Sequence, residues 1–453
     1  MTAPSPTADD GSDEALALLR EARTPAGGGA PTAKAGRDRA QAPSLDDPPA
    51  PRRRAAAWAD ARAAAARAGR TAPSRSHRVP LEQAVGEILT EPLTALTDLP
   101  SFDTSAMDGW AVAGPGPWAV QEGGVLAGHA APGPLADGEA VRIATGARIP
   151  AGATAVIRSE HARTDGARTQ LQADRVVLHG QDIRPRGQEC RSGDVLLPAT
   201  ALVTPAVLGL AAAAGYDDLA TVARPRVEVL VLGDELLTQG LPHDGLIRDA
   251  LGPMLGVWLR ALGAEVVGTR RLKDDAGALL AAVTGSSADL VITTGGTAAG
   301  PVDHVHPVLH KAGAELLVDG VAVRPGHPML LAQIGVGKHL VGLPGNPLAA
   351  VSGLLTLAEP LLRELAHRAS PVAYTAPLRN AVQGHPHDTR LVPVVHRGEG
   401  VLPLHYNGPA MLRGIAAADG LAVVPPGGAR AGQEVEIVDL PWSPSGSGEG
   451  CFT

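Results

Sequence analysis

From residue 226 to about residue 370 the chain alternates short apolar runs with longer amphipathic ones, and this alternation restricts the fold more than any other feature. The runs 227–232, 264–268, 290–294, 329–334 and 339–343 read as strands, the first apolar except for Glu228. Residues 246–262, 275–283, 302–312 and 348–365 read as helices. Strands that are apolar nearly throughout need cover on both faces, so the pattern predicts a doubly wound α/β unit around a parallel sheet. Such sheets bind ligands beyond the carboxyl ends of their strands. The loops to inspect are therefore Gly233-Asp234-Glu235, the stretch from Gly295 and Gly296 to Asp303, and Leu343-Pro344-Gly345-Asn346-Pro347. Arg324-Pro325-Gly326-His327-Pro328, just before a strand, is a fourth element.

The rest of the chain reads differently. Residues 1–75 are rich in Ala, Pro, Gly, Asp and Arg, with almost no Ile, Val or Phe, so a disordered tail is expected. Within it, residues 55–68 hold good helix formers. Their faces carry little but methyl groups, so docking is not expected, and order is expected from near Val79. Residues 80–89 read as a short helix, and 93–187 as a small β module with strands at 109–113, 140–143, 155–158 and 175–178. Residues 202–214 form an apolar helix stopped by Gly215. Residues 371–442 return to short β runs, and 443–453 are a Gly/Ser tail. A length of 453 residues fits about three domains.

Composition excludes several function classes. Ten aromatics (Trp 5, Tyr 3, Phe 2) cannot supply stacking platforms for single strands, and a net charge of -8 opposes a polyanion, so nucleic acid is not an expected partner. Two cysteines rule out a disulfide framework and a cysteine-built zinc site. No apolar run reaches 18 residues and the N-terminus is polar and acidic, so neither a membrane partner nor a signal peptide is expected and the expected location is cytoplasmic.

Glycines in the loops let backbone amides approach a phosphate or oxyanion, while Asp234, Glu235 and Asp303 are suited to a divalent cation. A single glycine-rich turn is routine in this fold class; three, each with an acid or amide, point to a site. None matches the standard dinucleotide or Walker pattern, and no GxSxG elbow exists. His304, His306 and His310 include one i, i+4 pair, without the carboxylate partner that zinc chemistry favours. His385-Pro386-His387 reads as a solvated loop.

Taken in order, the motifs resemble the MoeA family of molybdopterin molybdenumtransferases, which includes the C-terminal part of gephyrin. The carriers are Ser105-Ala106-Met107-Asp108-Gly109-Trp110-Ala111-Val112, Arg142 to Ala147 with Pro150 to Ala153, Gly233 to Leu236, Lys273-Asp274-Asp275, Gly295 to Asp303, Pro325-Gly326 with Pro328, and Leu343 to Pro347. The resemblance spans about residues 79–438. It implies a discontinuous linker domain (76–92 and 188–223) with the β module 93–187 inserted. A molybdopterin-binding α/β domain (224–370) and a C-terminal β domain (371–442) follow. It also implies a homodimer, with sites in clefts between domains of two protomers, and a molybdopterin-adenylylating enzyme as partner. The implied reaction inserts molybdate into adenylylated molybdopterin and releases AMP, with Mg2+. Catalytic roles carry over to Asp108, Thr145, Glu235, Asp274 and Asp303, with Glu235 and Asp303 toward Mg2+. Substrate-binding roles fall on Gly295, Gly296, Thr297, Arg324, His327, Pro344, Gly345, Asn346 and Pro347.

The chain departs from the family pattern at several positions. Ala298 stands for a serine, Arg324 and His327 for lysines, Leu232 for a threonine, Leu251 for an asparagine, Glu189 for an aspartate and Pro409 for a C-terminal serine. Only four lysines occur, against 39 basic residues in all, so Arg324 follows a general lysine-to-arginine bias. His327 does not. Two readings stay open: an active molybdenumtransferase, and a weakened paralogue acting as a molybdopterin-binding or scaffold protein. An unrelated α/β phosphotransfer enzyme lacks any supporting motif.

Overall fold

A computed structural model describes residues 55–129, 133–167, 169–297 and 304–442. One of its six-stranded sheets has the order Glu265–Leu272, Arg226–Leu232, Leu290–Thr294, Lys338–Leu343, Leu330–Gly335, Glu315–Asp319. Side chains alternate along each strand, so each face has its own core. Val227, Val229 and Val231 join Leu255, Trp258, Leu259, Leu348 and Leu361 on one face. Leu230 and Leu232 join Leu279, Val283, Val305 and Leu309 on the other. Helices Leu251–Ala261 and Ala276–Gly285 follow successive strands, as a doubly wound unit requires.

The expectation of an all-parallel sheet needs one correction. The first four strands are parallel, but Leu330–Gly335 runs antiparallel to both Lys338–Leu343 and Glu315–Asp319. Only Val336 and Gly337 separate two of these strands, too short for a crossover. The helix expected over 246–262 starts only at Leu251, because the Asp249 carboxylate accepts from the Gly252 amide (2.8 Å) and fixes the first turn there. The helix expected over 348–365 is continuous but passes through a π-helical segment, Leu354–Ala358.

The largest departure from expectation lies at the start of the described residues. Trp58–Thr71 is a helix packed on Glu359–Leu365, inside the stretch read as an unpacked tail. Trp58 is 6% exposed and donates from Nε1 to Thr356 Oγ1 (3.1 Å), while Ala61 and Ala65 are fully buried. The methyl face that looked too poor to dock instead allows close approach. A Cβ on Gly69 would sit 2.7 Å from the Leu361 carbonyl oxygen. Arg70 adds an ion pair to Glu364 (2.6 Å).

One three-stranded sheet, two further six-stranded sheets and several two-stranded ladders make up the rest of the described residues. Ser76–Pro80, Asp218–Val222 and Ile88–Leu89 form the first, with helix Pro205–Ala213 capped by Thr204 and stopped at Gly215 (φ +103). The helix expected over 80–89 is only Leu81–Ala84, ended by Gly86 at φ +85. The β module is a six-stranded sheet including Gly109–Val112, Glu139–Ile143 and Ala155–Arg158. Residues 175–178 are not a strand: Gln170–Ala173 takes the pairing, and Val176 and Leu178 stay 80% and 65% exposed. The C-terminal sheet is built on Thr389–Arg397, Gly420–Val424, Glu434–Asp439 and Tyr374–Pro377. Its edge is completed by Val323–Arg324 from the α/β region, parallel to Thr389–Arg397. Among the described residues, no helix is long and apolar enough to cross a membrane.

Candidate functional site

The loop after Lys338–Leu343 separates two clefts, and Asn346 lines both. Its side chain caps nothing, although Asn346 stands at the N-cap of helix Pro347–Gly353. The Pro409 carbonyl does the capping instead, accepting from the amides of Leu348 (2.9 Å) and Ala349 (3.2 Å). A segment of the C-terminal region thereby seals the helix start, and those two amides are spent.

The first cleft, about 500 Å³, lies beyond the carboxyl ends of Arg226–Leu232 and Leu290–Thr294, where an open α/β sheet places its ligands. Glu235, Gly295, Gly296, Gly345, Asn346 and Pro347 line it. The two glycine turns lie side by side: a Cβ on Gly345 would sit 3.7 Å from Gly295 Cα, and the Gly295 amide donates to the Leu343 carbonyl (2.9 Å). That amide is therefore not free for a phosphate. Glu235 is exposed, and its carboxylate lies over Gly233, where a Cβ would meet Oε2 at 2.6 Å. Asp274 is not on the cleft wall; it accepts from the Asp234 amide (3.3 Å). Thr297 is buried at 4% exposure. Leu232 and Leu251 line the same cleft and make part of its wall apolar. Asp303 and Ala298 lie outside the described residues.

The second cleft, about 550 Å³, lies between the α/β region and the C-terminal sheet. Arg324, His327, Pro344, Asn346, His385 and Arg390 are among its walls. The ladder Val323↔Thr389 and Arg324↔Arg390 ties the two lobes together beside it. Arg324 pairs through Nε with Asp388 (2.8 Å), a carboxylate on a residue only 9% exposed. Arg390 donates to the Gln383 carbonyl (2.7 Å) and to Asn407 Oδ1 (3.0 Å). His327 Nδ1 is buried without a partner. His385-Pro386-His387 is the exposed loop expected, and its half-buried His385 also forms part of this wall. Sequence reading missed it because a His-Pro-His string has no helical or strand period to mark which face it takes.

Asp108 and Thr145 are brought together, but not to these clefts, whose walls contain neither. The Thr145 amide donates to Asp108 Oδ1 (2.7 Å). That bond, then the Thr145 hydroxyl and Arg142, hold the Asp108 carboxyl below the usual carboxylate range. Gly109 follows because any Cβ there would overlap the Ile157 carbonyl. Among the described residues no three metal-ligating side chains cluster. A Mg2+ that keeps most of its waters and takes one carboxylate beside phosphate oxygens does fit the exposed Glu235. The histidines of 304–310 do not gather either: His306 is engaged with Asp319 (2.8 Å).

Three family regions match the chain. Residues 56–215 match the MoeA N-terminal region (domain I and II), 228–364 match the "Probable molybdopterin binding domain", and 375–440 match the MoeA C-terminal region (domain IV). A molybdopterin molybdenumtransferase of Staphylococcus aureus is 31% identical over 385 residues, covering 80% of this chain and 90% of the relative. Molybdopterin molybdenumtransferase 2 of Mycobacterium tuberculosis is 37% identical over 305 residues, covering 63% and 74%. The crystal structure of a molybdopterin biosynthesis MoeA protein from Pyrococcus horikoshii superposes with a TM-score of 0.69 at 26% identity, covering 85% of this chain and 99% of that one. An α/β domain with clefts at its strand ends, flanked by two β regions, is the architecture of a molybdopterin-handling enzyme. The chain belongs to the MoeA family of molybdopterin molybdenumtransferases.

Proposed function

We propose that this protein inserts molybdate into adenylylated molybdopterin and releases AMP, as a step of molybdenum cofactor biosynthesis. The observation that carries the reading is the pair of clefts sharing Asn346: one with an acid and glycine turns, the other walled by Arg324, Arg390 and two histidines. The first suits the pyrophosphate of the nucleotide-linked pterin, and the second suits a tetrahedral oxyanion.

Glu235, with Asp303, holds Mg2+ in this account, and bound Mg2+ supplies charge neutralisation at the pyrophosphate. Gly296 binds the phosphates beside Gly295, whose amide holds the turn, while the buried Thr297 packs against the sheet at Gly342. Asp274 positions the Asp234 turn through its amide. Pro344, Gly345, Asn346 and Pro347 keep the two substrates in register while water attacks the phosphoanhydride phosphorus, so that AMP leaves and the pterin keeps its own phosphate. Asp108 and Thr145 act from the β module of a second protomer, which makes the homodimer the working unit. The reading extends to domain limits of 76–92 with 188–223, 93–187, 224–370 and 371–442, a cytoplasmic location, and supply of substrate by a molybdopterin-adenylylating enzyme.

The test is AMP release from adenylylated molybdopterin by the purified full chain with Mg2+ and molybdate. Release that falls sharply in Glu235→Gln is expected. No AMP, under conditions where another family member releases it, refutes the reading. A second reading, a molybdopterin-binding protein with little turnover, is favoured by the apolar Leu232 and Leu251 in the first cleft. AMP release that disappears in Asp303→Ala would refute that alternative.

A further inference from the structure

We infer that His385 is an oxyanion-binding residue, donating through Nε2–H to the tetrahedral anion in the second cleft. The inference rests on the proposed placement of molybdate there and goes beyond it by naming a donor from the C-terminal β region.

His385 Nδ1 lies 3.0 Å from the Asp388 amide nitrogen and 3.3 Å from the His387 amide nitrogen, both as donors toward the ring. A nitrogen that accepts from backbone N–H groups carries no hydrogen of its own. The Asp388 carboxylate is 3.4 Å from the same Nδ1, which would favour a hydrogen there. The amide contact is shorter and meets the geometric criteria of a hydrogen bond, so it decides the tautomer. The ring hydrogen therefore sits on Nε2. Protonation of the ring would leave it there as well, so the outer edge of His385 is a donor in either state. With Nδ1 turned into its own loop, Nε2 is the polar edge left for the cleft that His385 lines.

His327 stands on the same wall with its Nδ1 buried and without a partner. The charged groups on the wall nearly balance. Arg324 is matched by Asp388, and Arg390 is held by Gln383 and Asn407 without an acid. An oxyanion entering here meets one uncompensated guanidinium and the fixed imidazole donor of His385, with little reorganisation.

Two substitutions separate the donor from the loop contact. Asn places its Oδ1 where Nδ1 was, so His385→Asn keeps the acceptor for the Asp388 amide and removes the outer donor. Gln reaches the Nε2 position with an N–H, so His385→Gln keeps the donor and drops the loop acceptor. Molybdate binding is measured by calorimetry on the full chain, with the melting temperature as the readout of the loop. His385→Asn is expected to weaken molybdate about tenfold or more, and His385→Gln to stay within about threefold of the native protein. Equal binding by His385→Asn and the native chain, or greater loss in His385→Gln than in His385→Asn, overturns the inference and assigns His385 to the loop alone. If the native chain itself binds no molybdate, the placement of the oxyanion falls, which is a separate outcome.

Discussion

Gly326→Ala probes how the wall of the second cleft is held. Gly326 is buried at φ +117, between Arg324 and His327. A Cβ there would lie 2.8 Å from Met329 Cε, 3.1 Å from Ser352 Cβ and 3.2 Å from the Ala349 carbonyl oxygen. Met329 and Ser352 are both fully buried, so only the end of the Met329 side chain has room to yield. Gly313→Ala is the control, since Gly313 has φ +68 and nothing within 4 Å of an added Cβ. The control carries only the left-handed backbone cost, about 1–2 kcal/mol. Gly326→Ala carries backbone strain of about 1–3 kcal/mol and overpacking of about 1–3 kcal/mol, hence about 2–6 kcal/mol together. Urea unfolding of both variants beside the native chain, compared at equal slope, gives the difference. A Gly326→Ala protein no less stable than Gly313→Ala would show that the wall yields freely. Helix Pro347–Gly353, which carries Ala349 and Ser352, would then not be what fixes the Arg324 to Pro328 segment.

Other outcomes follow from the same structure. Trp58→Ala should cost about 3–5 kcal/mol and expose the Trp58–Thr71 helix to protease, because it empties a buried site and orphans Thr356; unchanged stability and cleavage would return this helix to the status of a loose tail. Asp108→Ala should speed hydrogen exchange at the Thr145 amide, its donor partner. In the native protein the depressed Asp108 carboxyl keeps that tie at neutral pH and loses it only as pH falls through the lowered value. Exchange indifferent to both changes would refute the tie. Burial and a hydrogen bond to Asp439 (2.6 Å) push the Tyr374 hydroxyl well above the usual range. The unfolded chain releases that proton first, so stability should fall as pH rises past about 10. Ultraviolet titration should show one of the three tyrosines ionising late, and Tyr374→Phe should remove that component.

Much of the fold was legible because apolar strands leave few choices. Leu290–Thr294 is buried at every position, and its run of apolar residues ending in Gly295-Gly296 announced both the strand and the cleft beyond it. Antiparallel Leu330–Gly335 was harder, since the direction of a strand is set by the two-residue link to its neighbour and not by its own pattern. Trp58–Thr71 was misread because alanine signals neither burial nor exposure; what decides is the Glu359–Leu365 surface nearly 300 residues away. Glu235 and Asn346 were legible from their loops. His385 was not, nor was the role of Pro409, whose backbone carbonyl does the work and whose side chain says nothing about it. Asp108 and Thr145 were legible as a pair of turns, and their mutual hydrogen bond explains why both turns are tight.

The central claim is that one cleft presents the adenylylated pterin to an oxyanion held in the other. Its most direct test is a stoichiometry: AMP released and molybdenum incorporated into the pterin product, measured together by chromatography and mass spectrometry in a single turnover. One molybdenum per AMP is expected, with both lost in Glu235→Gln. AMP released without molybdenum incorporation, or neither product from a folded chain that binds both substrates, would contradict it.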